Sequence, residues 1–287
     1  MRKHNDKGSP ERLPSTILEE IMNNQNKWSD LLTAAVSQPG LILKAYSNFH
    51  GYSLSNQIAA LLQCHMRALQ PGPMHTYQGW QKIGRQVRKG EKAIWLCMPL
   101  TRKLKNADDD DKEVITSFVW KPNWFTLSQT EGEPAPMPEI PEWDKARALA
   151  ALNITETPFQ HTDGNTMGYA RKREIAISPL CPLPHKTLLH EVAHIELGHT
   201  SESDFNDSEI TPRNLREVEA EAVAMLLCES LELPGFDYCR GYIQGWLDGD
   251  VIPEKSAQKI FGAADRILKA GRGEKLKEGA QDAGPNS

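Results

Sequence analysis

The chain has 287 residues, a net charge of −5 and an apolar share of 39 %. That length leaves room for two modest domains, and the composition excludes a chain too polar and too charged to build a core. No apolar run approaches a membrane span and the start, Met1–Asp6, is polar, so no membrane partner and a cytoplasmic location are expected.

Residues 1–14 read as a disordered tail. From Ser15 a helical pattern runs through Ile17, Leu18, Ile21, Trp28, Leu31 and Leu32 and ends near Pro39-Gly40. Ser53 is placed to cap a second helix carrying Leu54, Ile58, Leu61 and Leu62, which Pro71-Gly72-Pro73 breaks. Ala93–Leu100 and Val114–Trp120 read as strands, joined by a polar loop with Asp108–Asp111 at its tip. Between Lys82 and Lys105 stand eight basic residues, Lys82, Arg85, Arg88, Lys89, Lys92, Arg102, Lys103 and Lys105, against Glu91 alone. Tyr77, Trp80 and Trp95 are interleaved with them. Basic side chains neutralise phosphates and aromatic faces stack on unpaired bases, which favours single-stranded nucleic acid over duplex. A solvated basic face around core aromatics fits the same composition, and the residues alone leave both readings open. The cysteines, Cys64, Cys97, Cys181, Cys228 and Cys239, are odd in number and lack C-x-x-C spacing, so free thiols are expected rather than disulfides or a cysteine metal site.

Pro134–Pro141 reads as a stiff extended linker. A helix near Trp143 carries Ala146, Leu149 and Leu152, and Gly168–Ala170 with Glu174–Ile177 read as a hairpin. Then comes His190-Glu191-Val192-Ala193-His194 among Leu188, Leu189, Ile195 and Leu197, an H-E-x-x-H pattern on an apolar helix that Gly198 stops. One helical turn separates the histidines, so both imidazoles face one zinc ion, and Glu191 is placed as general base toward a metal-bound water. A third ligand is expected from a second helix, with Thr211 as N-cap and Pro212 at its first position. Glu217 is expected as that ligand and Glu221 as the acceptor orienting a ligating histidine; Glu219 points the opposite way. His199 stands in the wrong register for a third histidine ligand and reads as a cation at the helix end. His199 and Tyr169 are candidates to stabilise an oxyanion. Tyr238–Leu247 and a helix over Pro253–Ala270 complete the fold, and residues 273–287 read as a second tail.

Asn48–Tyr52, Thr76–Trp80, Gly84–Lys92 (with Val87-Arg88-Lys89-Gly90-Glu91-Lys92) and Phe125–Gly132 resemble the N-terminal domain of ArdC-type antirestriction proteins. The chain departs from that pattern at Ser53-Leu54-Ser55-Asn56, where the family carries R-G-x-N. The resemblance implies a single-stranded-DNA-binding domain followed by a zincin-type metallopeptidase domain, whose edge strand above the metal helix pairs with an extended peptide. The expected fold class is therefore α+β, with domains at 15–132 and 143–272 joined by a linker at 133–142. DNA contacts are expected from Tyr77, Trp80, Lys82, Arg85, Arg88, Lys89, Lys92 and Trp95. The expected cofactor is Zn²⁺ on His190, His194 and Glu217, and the expected partners are single-stranded DNA and a peptide or protein substrate. Two alternatives stand beside peptide hydrolysis: a DNA-shielding protein with a non-catalytic zinc, and a regulatory peptidase of the ImmA/IrrE type that cleaves a repressor.

Overall fold

The computed structural model describes residues 27–103, 114–160, 166–200, 212–247 and 251–274. The expected tail at 1–14, the helix start at Ser15, Lys105, the Asp108–Asp111 tip, Thr211 and residues 275–287 lie outside them. Helices α1 (Trp28–Ser37), α2 (Leu41–Phe49) and α3 (Leu54–Met66) come first. Strand β1 (Met74–Thr76), the short helix α4 (Tyr77–Lys82) and β2 (Arg85–Val87) precede the long hairpin of β3 (Ile94–Lys103) and β4 (Val114–Thr126). One 3-10 turn leads into β5 (Thr130–Gly132). The second half runs α5 (Lys145–Ala151), β6 (Thr155–Glu156), β7 (Gly168–Arg171), β8 (Glu174–Ile177), α6 (Pro184–Glu196), α7 (Arg213–Ser230), α8 (Phe236–Leu247) and α9 (Glu254–Arg272). The strands form an antiparallel β1-β4-β3 sheet, a β2-β5 ribbon, and a β6-β8-β7 sheet with β7 at its edge. The fold is α+β, as expected.

Two helices go beyond the sequence reading. Gly40, at φ +80°, turns the chain from α1 straight into α2, whose Leu41, Ile42, Ala45, Tyr46 and Phe49 form one buried face. Helix α4 is a single capped turn, with the Thr76 side chain accepting from Gly79 N at 3.1 Å. Six residues are too few for a hydrophobic period to show. Pro212 sits at the N-cap of α7 rather than inside its first turn. Helix α9 extends to Arg272.

The two stretches expected as separate domains share apolar packing. Leu31, Ile42, Ile58 and Leu61 from the first half share one apolar cluster with Val223, Leu226, Ile260 and Phe261 from the second. The first three helices also begin on carboxylates borrowed from the last ones, which suits the positive end of each helix dipole. Trp28 N and Ser29 N donate to Glu254 (3.0 and 2.8 Å), Ile42 N to Glu229 (3.2 Å), and Leu54 N to Asp265 (2.8 Å). Ser53 holds the N-cap position of α3 but its side chain makes no cap bond; Asp265 of α9 does that work. Arg240 ties the same seam by bonding Ala35 O at 2.8 Å and pairing with Glu229. The proline-rich stretch thus separates two runs of elements that fold around one interior. All five cysteines are free, and no helix among the described residues is long and apolar enough to cross a membrane.

Candidate metal centre

Helix α6 buries Leu188, Leu189, Val192, Ala193 and Ile195. That fixes its roll and leaves His190 and His194 facing α7 across a cleft of about 430 Å³. Their Nε2 atoms stand 3.1 Å apart, and Glu217 Oε2 lies 3.5 Å from the first and 3.6 Å from the second. Tetrahedral ligands at about 2.0–2.1 Å from an ion are separated by about 3.3–3.4 Å, so these three atoms mark out one face of such a site. The spacing of His190, His194 and Glu217 therefore fits a divalent metal, and the three form the one metal-competent cluster found among the described residues.

The outer nitrogens explain why the inner ones converge. His194 Nδ1 is 2.9 Å from His199 Nδ1, and His199 Nε2 is 3.0 Å from Glu219 Oε2. With Glu219 accepting from Nε2–H of a neutral His199, the free Nδ1 of His199 accepts from His194, and the His194 Nε2 lone pair is left facing the cleft. Burial lowers the pKa of His199, consistent with that neutral form. On the other histidine, His190 Nδ1 stands 2.8 Å from Glu221 Oε2, off the line of its N–H, so a small ring rotation is needed to satisfy it. Lys186, one turn before His190, holds Glu221 at 2.7 Å. Two neutral lone pairs and a carboxylate pointed at one spot repel each other unless a cation stands between them. In the metal-free protein a proton takes that part. Burial opposes a charge on His190, but Glu217 and Glu221 override it and raise its pKa to about 9. The Glu217 carboxyl is held low by His190 and His194, and Glu221, despite burial, falls to about 2 through His190 and Lys186.

Glu217 and Glu221 both face His190 from α7, and Glu191 lines the same cleft. His199 is a correction. It is a buried relay and not a helix-end cation, and with both ring nitrogens occupied it has no donor left for an oxyanion. Glu219, expected to point away from Glu217, meets His199 at 3.0 Å. The signal was Gly198-His199 one turn after His194: Gly198, at φ +80°, folds the chain back so that His199 N donates to His194 O at 2.8 Å.

Glu191 is buried, and that burial raises its pKa toward the range of a useful base. Its Oε1 lies 3.2 Å from where a Cβ on Gly168 would stand, and Thr187 is nearer still at 2.6 Å, so only glycine lets β7 lie this close to α6. Ser178 N donates to Met167 O at 2.9 Å, which makes Met167 and Ser178 a hydrogen-bonded pair. Such pairs alternate along an antiparallel ladder, so the peptide groups of Gly168 and Ala170 face away from β8, toward the cleft they line. Tyr169, Thr200, Arg213 and Arg216 complete its walls.

Residues 9–133 match the family described as the N-terminal domain of anti-restriction factor ArdC. That first part of the chain is of the ArdC type. The metal-free crystal structure of the antirestriction ArdC protein from the R388 plasmid shares its fold over 87 % of this chain and 99 % of that one, at TM-score 0.53 and 20 % identity. The Mn(II)-bound crystal structure of the same protein is 19 % identical over 90 % and 97 % of the two chains, at TM-score 0.49. No curated protein is similar enough to count as a match.

The ArdC-type segments of the first half turn out to hold one another. Arg88 bonds Glu91 (2.8 Å), Ser128 O and Thr130 O, and Gln129 donates to Glu91 at 3.0 Å. Arg85 bonds the Thr130 hydroxyl at 2.8 Å and the carbonyls of Thr130, Gly132 and Glu133. Both guanidinium groups are committed to β5 and its approaches, a use that spacing could not reveal. Trp80, expected to stack on bases, is fully buried; its indole donates to Phe125 O at 2.9 Å and His75 packs edge-on against it. It serves the core because α4 lays its apolar side on β1 and β4. Trp95 is half-buried, its main chain tied to Gln63. Tyr77, 41 % exposed, and Lys82, Lys89 and Lys92 remain on the surface.

Proposed function

We propose that the chain is an antirestriction protein whose metal centre hydrolyses a peptide bond, with zinc as the ion, and whose first half holds single-stranded DNA. The observation that carries the peptidase reading is the convergence of His190, His194 and Glu217 beside a buried Glu191 and a strand that lies at the sheet edge among the described residues. Zinc on those three atoms would supply Lewis acidity and a water of lowered pKa. Gly168 and Ala170 bind an extended peptide through main-chain hydrogen bonds, which sets its register over Glu191. Glu191 Oε takes a proton from the attacking water and delivers it to the leaving amine. Tyr169, on the cleft wall, offers a hydroxyl for the developing oxyanion; Glu221 and the His199–Glu219 pair keep the ligand rings in place.

The test compares wild type with Glu191→Gln, both loaded with zinc or with manganese, on a peptide library read by mass spectrometry. Metal-dependent cleavage should fall by about 10²-fold or more in Glu191→Gln at unchanged metal content. Cleavage retained by that variant, or none by wild type with either metal, would overturn the peptidase reading and leave a DNA-binding protein with a non-catalytic metal.

A further inference from the structure

The proposed chemistry makes no use of two arginines on the wall of the cleft. Arg213 and Arg216 line it together with His190, Glu191, His194 and Glu217. On α7, Arg213 stands four residues before Glu217, about 6 Å along the axis, and Arg216 shares that face. Arg85, Arg88, Arg173, Arg240 and Arg266 each bond carbonyls or carboxylates of their own surroundings. Arg213 and Arg216 have no side-chain hydrogen bond or ion pair among the described residues, and Arg216 Nε is buried without a partner. A buried donor left unmade is costly, and it points to something that completes it. The carboxylates close by are already taken: Glu217 faces both histidines, Glu219 holds His199, and Glu221 lies between Lys186 and His190.

We propose that Arg213 and Arg216 form a subsite for an acidic side chain of the substrate, one or two residues from the scissile bond. This rests on the peptidase reading and adds its substrate class. The distance follows from the helical rise: about 6 Å spans more than one and less than two residues of an extended peptide at about 3.3 Å each. A guanidinium fork matches a carboxylate in geometry and charge. A peptide suits the cleft better than a phosphate backbone. The opposite wall offers the strand edge at Gly168 and Ala170, and a row of phosphates would bring charge against Glu191 and Glu217.

Binding of peptidyl hydroxamates to the zinc-loaded full chain tests this without turnover, because the hydroxamate anchors on the metal. Matched probes carry Glu, Gln or Lys at each of the two positions beside the chelating group. The Glu probe should bind about tenfold more tightly than the Gln probe at one position. That preference should vanish in Arg213→Ala/Arg216→Gln at unchanged zinc content. It should turn toward Lys in Arg213→Glu, a change at an exposed residue that tests the idea should the double variant misfold. Equal binding of the three probes, or a Glu preference that outlives these substitutions, overturns the subsite while leaving the peptidase reading intact. Failure of every probe to bind in a zinc-dependent way removes the peptide cleft itself, and the subsite with it. Displacement of a bound Glu probe by oligo(dT) that depends on the two arginines would reassign them to phosphate.

Discussion

In the α6–α7 pair the charged groups converge on one another across an open cleft. In the β2–β5 ribbon they turn instead onto the main chain. His190, His194 and Glu217 aim at a common point and are oriented from behind by Glu221, His199 and Glu219. Arg85 and Arg88 cross from β2 and its end to the carbonyls of Thr130, Gly132 and Ser128. The same chemistry of charge-assisted hydrogen bonds serves both regions. What differs is where the donors find acceptors. On packed helices the main-chain groups are already paired, so side chains must satisfy each other. A short ribbon ending in irregular chain leaves carbonyls free, and a nearby arginine closes them.

The strongest challenge to that contrast is to remove a converging atom. Glu217→Ala and His190→Ala should each abolish stoichiometric metal binding, whereas Arg85→Ala should leave it untouched, as metal analysis of purified protein will show. The pH dependence sharpens the point. In the metal-free protein His190 titrates near 9, so metal must displace its proton, and affinity should rise up to about tenfold per pH unit toward 9 and then level. The sign for stability is opposite. A histidine raised from 6.5 to about 9 stabilises the metal-free fold fully below 6.5 and loses that contribution as pH rises through 9. A metal affinity independent of pH between 7 and 9 would mean that the inner nitrogens do not carry the proton.

The metal helix was legible because its information is local. Spacing by one turn fixes which side chains share a face, and His190, Glu191, His194, Glu217 and Glu221 all follow from that rule. His199 was not legible by helical spacing, since the Gly198 turn and not a helical period brings it to His194. The borrowed caps were hidden for another reason: Glu254 and Asp265 look like ordinary residues of an amphipathic helix, and their partners lie more than 200 positions away. The aromatic and basic run around residue 80 misled in the same way. Composition records that Trp80 and Arg85 stand near lysines, but the packing of α4 and the free carbonyls of β5 decide their roles.

Trp80 gives the next largest effect. It is 0 % exposed, and Trp80→Ala should cost about 3–5 kcal/mol in urea denaturation by removing a large core side chain. DNA binding by that variant should weaken only to the extent that it unfolds. A variant as stable as wild type but defective for single-stranded DNA would return Trp80 to the surface and erase the contrast between the two regions.

The smallest effect separates the free cations from the committed ones. Lys89 and Lys92 are exposed near β2, beside the half-exposed Tyr77. If they meet phosphates, Lys89→Ala/Lys92→Ala should flatten the salt dependence of single-stranded-DNA binding by about 1.4 units, at roughly 0.7 per contact, with an unchanged thermal melt. Arg85→Ala should do the reverse. Its guanidinium holds Thr130, Gly132 and Glu133, so stability should fall by about 1–3 kcal/mol while the salt slope stays the same. Parallel fluorescence titrations and melts of the two variants distinguish the outcomes. A flattened slope in Arg85→Ala without loss of stability would mean that the arginine leaves its carbonyls to meet DNA, and that the ribbon is an interface rather than a brace.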